Sequence, residues 1–188
     1  MNTPKSSKRY SGFSLLELSI MLFVFIALIA VAIPNLMEML RANRLTGDAR
    51  SLVRQLSLAR QRAGADFTWT KIVIDNSTTP INYTLQICST KATSSCTTFT
   101  TEGGRQYLSS TTALGFGSSS GAAGGQMTAA QTTTVIFNSR GIPIDNTGSP
   151  TATDTIYLAD SLGNACAVSV TLSGHARGWR YASGWVGL

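Results

Sequence analysis

Phe13 to Ile33 is a run of 21 residues in which Glu17 is the one charged side chain. As a helix the run spans about 31 Å, the thickness of a bilayer's hydrocarbon core at about 30 Å. A carboxylate at that depth costs about 2.5–3.5 kcal/mol on insertion scales, so the chain needs a counter-charge for Glu17. Residues 1–12, MNTPKSSKRYSG, are polar, basic and end in Gly12. An ordinary secretory signal places its cut after the apolar core. Here the order is reversed, and a cut after Gly12 leaves the apolar run attached.

The helical pattern outlasts the apolar run. Pro34 predicts a kink, because its ring removes a backbone donor and crowds the preceding turn. Beyond it Leu45, Ala49, Leu52, Leu56, Ala59 and Ala63 recur at spacings of 4, 3, 4, 3 and 4. This is one apolar stripe on an otherwise polar helix, and it is expected to fasten that helix to the rest of the chain. Gly64 reads as the stop. The predicted segments are 1–12 leader, 13–34 apolar half-helix, 35–64 amphipathic half-helix and 65–188 head.

After Gly64 the grammar becomes that of strands. FTWTKIVID (67–75) and INYTLQICS (81–89) alternate around NSTTP and predict a hairpin. TTTVIFNSRG, TDTIYLAD and ACAVSVTLSG predict three more strands, while Gly103–Gly104 and the stretch 115–131 read as glycine-rich loops without a core. The expected class is α+β, a long kinked N-terminal helix on a β-rich head. Cys88 and Cys96 enclose a short loop and are the favoured disulfide in an exported chain, although three cysteines with Cys166 permit three pairings.

The formal charge is +6, and removing Lys5, Lys8 and Arg9 with the leader leaves twelve basic against nine acidic side chains, or +3. Six of the twelve, Arg41, Arg44, Arg50, Arg54, Arg60 and Arg62, follow the apolar run. Such a row suits a solvated helix face, lipid headgroups or a polyanion, with Asp48 and Asp66 as nearby acids.

KRYSG followed by FSLLELSIMLFVFIALIAVAIP resembles the class III leader and N-terminal helix of type IV prepilins and type II secretion pseudopilins. The glycine, the new first residue Phe13, the glutamate four residues on and the later proline carry the likeness. The stripe through ARSLVRQLSLARQRA, with VIFNSRGIP, TIYLAD and VSVTLSGHAR, is similar to the FimT/GspH group of minor pilins and pseudopilins. The resemblance implies a pilin-like fold, cleavage between Gly12 and Phe13 by a prepilin peptidase, and N-methylation of Phe13. It also implies residence in the bacterial inner membrane with a periplasmic head. An inner-membrane assembly platform then passes the subunit into a fibre of packed N-terminal helices at the cell surface. There Glu17 would pair with the Phe13 amine of a neighbouring pilin. A plain signal anchor accounts for neither the leader's form nor the amphipathic continuation.

SGHARGWRYASGW places His175, Arg177 and Arg180 among Trp179, Tyr181 and Trp185, a composition able to hold phosphates and stack on bases. The FimT branch carries a GRxR motif near its C-terminus that binds DNA in natural transformation. The matching positions here are Gly174, His175, Ala176 and Arg177, so histidine replaces the first arginine. Double-stranded DNA is thus a second expected partner; the alternative is a closing strand whose aromatics cover the sheet. His175 and the three cysteines lack the paired spacing of a zinc site, and neither metal nor cofactor is expected. With one histidine and no GxSxG, HExxH or GxxxxGK[ST], an enzyme is not expected. The expected role is a minor pilin that primes or caps assembly. A DNA-binding minor pilin and a GspH-like pseudopilin are the alternatives.

Overall fold

The computed structural model describes residues 14–90, 95–119, 127–128, 130–151 and 153–188. Gly12 and Phe13, the expected processing site, lie outside the described residues. Among the described residues one helix, α1 (Leu15–Ala65), is followed by ten strands. The chain divides within α1 into two compact units, one ending at Met39 and the other Leu40–Leu188. The architecture is α+β and pilin-like, a long N-terminal helix whose later part packs on a head of two antiparallel sheets.

α1 is unbroken at Pro34, which sits inside the helix. Its end differs from expectation. Gly64 remains helical and the stop is at Phe67, which takes φ 49°. The Thr68 amide donates to Ala63 O at 3.2 Å and the Asp66 amide to Arg62 O at 2.9 Å, closing the last turn around a left-handed residue. That conformation costs a residue with a Cβ about 1–2 kcal/mol. A second tie is the Thr70 hydroxyl, which donates to Ala59 O at 2.8 Å inside the core.

The first sheet has the order β3-β2-β1-β5-β6, formed by β1 (Thr70–Asp75), β2 (Asn82–Cys88), β3 (Phe99–Tyr107), β5 (Thr134–Phe137) and β6 (Pro143–Ile144). The second has the order β10-β9-β8-β7-β4, formed by β4 (Thr112–Leu114), β7 (Thr153–Asp160), β8 (Ala165–Thr171), β9 (Ala176–Tyr181) and β10 (Trp185–Gly187). The Thr132 amide donates to Thr155 O at 2.8 Å, tying the approach to β5 to β7.

Alternation decides what each sheet face buries. Ile72, Ile74, Tyr83, Leu85, Val135 and Phe137 of the first sheet join Ile156, Leu158, Cys166, Val168 and Val170 of the second. Both sets pack with Leu45, Ala49, Leu52, Leu56, Ala59 and Ala63 in one core. These helix residues are at most 1% exposed. Burying a leucine contributes about 1.5–3 kcal/mol, so the stripe is a principal source of head stability.

Gly103 and Gly104 are not in a loop. They lie within β3, where pairing steps from Tyr83↔Gln106 to Leu85↔Glu102 and Gly103 takes φ 73°. Two extra residues are accommodated as a bulge, which glycine permits without a Cβ penalty. Met127, in the stretch expected to lack a core, is buried against Tyr157 and Ala167. Residues 120–126 and 129 of that stretch lie outside the described residues.

Cys88 and Cys96 form a disulfide with Cα atoms 6.0 Å apart. It sits beside Trp69, Ile136, Ile144 and Phe99, a small cluster separate from the main core. Cys166 is free and buried.

Candidate assembly segment and the basic surfaces of the head

Glu17 lies in the first turn of α1, where a carboxylate complements the unsatisfied amides of the helix start. The first helical bond described runs from the Leu18 amide to Ser14 O at 3.1 Å. Around Glu17 the surface is mostly apolar, interrupted by Ser14 and Ser19. Leu15 is 86% exposed and Phe23 75%, and Leu16, Leu18, Ile20, Leu22 and Phe25 are likewise open. An 18-residue window of this helix has mean hydropathy 2.8 and none of it is buried, so α1 is long and apolar enough to cross a membrane. Surface of this kind is stable only against lipid or other apolar helices.

Two members of the arginine row are engaged by the head. Arg41 reaches Ser161 Oγ at 3.4 Å, and Arg62 pairs with Glu102 at 3.1 Å. Among the described residues Asp48 makes no hydrogen bond to any of the row. Its carboxylate accepts from the Ser109 amide at 3.0 Å, the Ser109 hydroxyl at 3.1 Å and the Thr112 hydroxyl at 2.6 Å. It therefore clamps α1 to the turn between β3 and β4.

The register of β8 with β9 separates the C-terminal arginines. Cys166, Val168 and Val170 face the main core, and opposite them stand Arg180, Gly178 and Ala176. Arg177 opposes Ser169, and Trp179 opposes Ala167, on the other face of the sheet. Arg177 and Arg180 are both exposed, but from opposite sides. Three residues of separation in a strand always reverse the face.

The aromatics that accompany them cover the outer face of the second sheet. Trp179 donates from Nε1 to Ser169 Oγ at 2.8 Å, and Tyr157 donates to Thr128 O at 2.6 Å. Phe116, Tyr157, Trp185 and Tyr181 follow one another at centroid separations of 4.6, 5.7 and 5.3 Å. Their area is largely committed to this cluster.

His175 is exposed in the turn before β9 and borders a cleft of about 410 Å³. The cleft lies between α1, the β5–β6 turn and the β8–β9 turn; among the described residues its charged lining is Arg60 and Arg140, with the His175 imidazole beside them and no carboxylate. Sequence reading missed this grouping. Its only local signal is a turn glycine after each strand, Gly141 in NSRG and Gly174 in LSGH.

Cys166 has its thiol pKa pushed up, chiefly by burial, with a hydrogen bond from Thr46 acting the other way. It is a core residue rather than a reactive thiolate. Among the described residues no cluster of three His, Cys, Asp or Glu side chains is placed to hold a metal ion.

No family model, no curated protein and no solved structure matches this chain. The architecture alone therefore defines the class, an α+β chain of pilin-like fold with a helix segment long and apolar enough to cross a membrane.

Proposed function

We propose that the chain is a minor type IV pilin, a structural subunit that primes or caps pilus assembly after a prepilin peptidase cuts between Gly12 and Phe13. The observation that carries this reading is the division of labour along α1. The Leu45 to Ala63 stripe is spent on the head's core, whereas Leu15 to Ile33 offers apolar side chains to the surroundings and bears a single acid, Glu17. Lipid satisfies that surface before assembly and neighbouring pilin helices satisfy it afterwards.

Cleavage would expose an α-amino group on Phe13, one helical turn before Glu17. Within a fibre the Glu17 carboxylate of one subunit takes the Phe13 amine of the next as its counter-ion. An unpaired charge among apolar helices is costly, so this pairing selects axial register more than it adds stability. Glu17→Gln is expected to leave the membrane pool intact and to reduce incorporation into fibres, measured by immunoblot of sheared pili. N-terminal mass analysis of membrane-extracted protein is expected to show a chain starting at methylated Phe13. A functional subunit still beginning at Met1 would refute the reading. A pseudopilin role rests on the same physics and is distinguished by the machine encoded beside it.

A second reading, a DNA-binding minor pilin for uptake in natural transformation, draws on exposed Arg177 beside His175 and on the acid-free cleft. Arg180 opens from the other face of the sheet and so does not extend this surface. A gel-shift salt series with full-length Arg177→Ala decides it. The slope of log affinity on log salt should fall by about one for each phosphate that the variant no longer neutralises.

A further inference from the structure

The cleft beside His175 contains one charged group held differently from the rest. Arg60 lies half-buried on α1, and two turn glycines press on it. Gly141 takes φ 72°, and a Cβ there would stand 2.9 Å from Arg60 Cγ and 3.2 Å from Nε. Gly174 takes φ 79°, and a Cβ there would collide with the Gly141 carbonyl oxygen and stand 3.0 Å from Arg60 Nε. Both turns thus need glycine twice over, for the left-handed backbone and for the room Arg60 occupies.

The result is a guanidinium whose stem is wedged in place. Among the described residues it makes no hydrogen bond or ion pair, whereas Arg62, two residues on, is paired with Glu102. Its stem has little room to move, its planar fork of donors is open to a ligand, and the neighbouring charged side chain in the cleft, Arg140, is of the same sign. A second cation beside a confined arginine is unfavourable for the isolated fold, and a bound anion relieves it. Planar N–H pairs suit the oxygens of a phosphate group, which they hold at two points.

We propose that this cleft is a phosphate-binding site, with Arg60 as the anchoring residue and Arg140 and His175 as flanking donors. The site goes beyond the assembly reading and stands whether or not that reading does. About 410 Å³ admits a single phosphate group with its immediate substituent. Such a group can arrive free in solution or as part of a polymer.

The test is calorimetric titration of inorganic phosphate into the full chain in an uncharged detergent at low salt. Saturable binding is expected, weakened about tenfold or more by Arg60→Gln because the charged pair of hydrogen bonds is removed. Arg60→Lys should recover part of that affinity, since it keeps the charge without the fork. Arg62→Gln should bind as the unaltered chain does. If Arg60→Gln misfolds, the exposed changes Arg140→Gln and His175→Asn should each weaken binding about two- to fivefold. A short DNA duplex that binds with the same Arg60 dependence and is displaced by phosphate identifies the polymer source. Phosphate binding without duplex binding identifies the free anion. The proposal is overturned by the absence of saturable phosphate binding, or by folded Arg60 variants that bind as well as the original.

Discussion

Removing the Asp48 carboxylate tests how the helix is joined to the head. This group accepts three hydrogen bonds from Ser109 and Thr112, at 2.6–3.1 Å, across 61 and 64 residues of chain. Hydrogen bonds to a charged group contribute about 1.5–3 kcal/mol each, and bonds sharing one acceptor are not additive. Asp48→Ala leaves the Ser109 amide and the Thr112 hydroxyl without their acceptor in a half-buried turn, a loss of about 3–4 kcal/mol. Asp48→Asn is predicted to be far milder. With its carbonyl oxygen at the position of Oδ2 it still accepts from the Ser109 amide and Thr112, while its NH₂ donates to the Ser109 hydroxyl. Only the charge assistance is lost, about 1 kcal/mol. Urea unfolding of the detergent-solubilised chain, followed by fluorescence of its three tryptophans, measures both. The reasoning is refuted if Asp48→Ala costs less than about 0.5 kcal/mol, the ordinary range of surface substitutions. It is equally refuted if the asparagine variant is as unstable as the alanine one.

Leu52 is fully buried in the core shared by α1 and both sheets. Leu52→Ala is expected to cost about 3–5 kcal/mol in the same unfolding assay, since transfer and cavity losses add in a well-packed site. Asp154 has its carboxyl pKa raised above 3.8, chiefly by burial, with hydrogen bonds from Thr151 and Thr132 opposing the shift. The fold therefore favours the protonated form. That contribution is present below the unfolded pKa and is lost as pH rises through the folded one. Asp154→Asn should accordingly be more stable than the original chain at neutral pH, the difference shrinking as pH falls toward 3.8 and below. A difference that does not change with pH would refute this assignment.

The helix was largely legible because its signals are local. Spacings of 4, 3, 4, 3 and 4 place Leu45 to Ala63 on one side of a 3.6-residue period, and those side chains line the core. The hairpin of β1 and β2 was legible from alternation around NSTTP. β3 was not, because its two glycines mimic a loop and only the facing strand shows them to be a bulge. The helix stop was misplaced for a related reason. Gly64 is the residue best suited to a left-handed position, but Thr70 and the packed β1 carry the chain on to Phe67.

What the sequence determined by itself is the chain's polarity of environment, with an apolar helix bearing one acid, then a striped helix, then alternating strands. Those are one-dimensional periodicities, and burial free energy acts on them wherever the chain goes. The tertiary structure alone decided which distant groups meet. Arg177 and Arg180 look like one patch in sequence and are turned to opposite faces by the pleat. Arg60, Gly141 and Gly174 look unrelated and are brought together by the order of strands around α1. Strand order and register arise from the simultaneous packing of the described helix and strands, and no short stretch of residues encodes that packing.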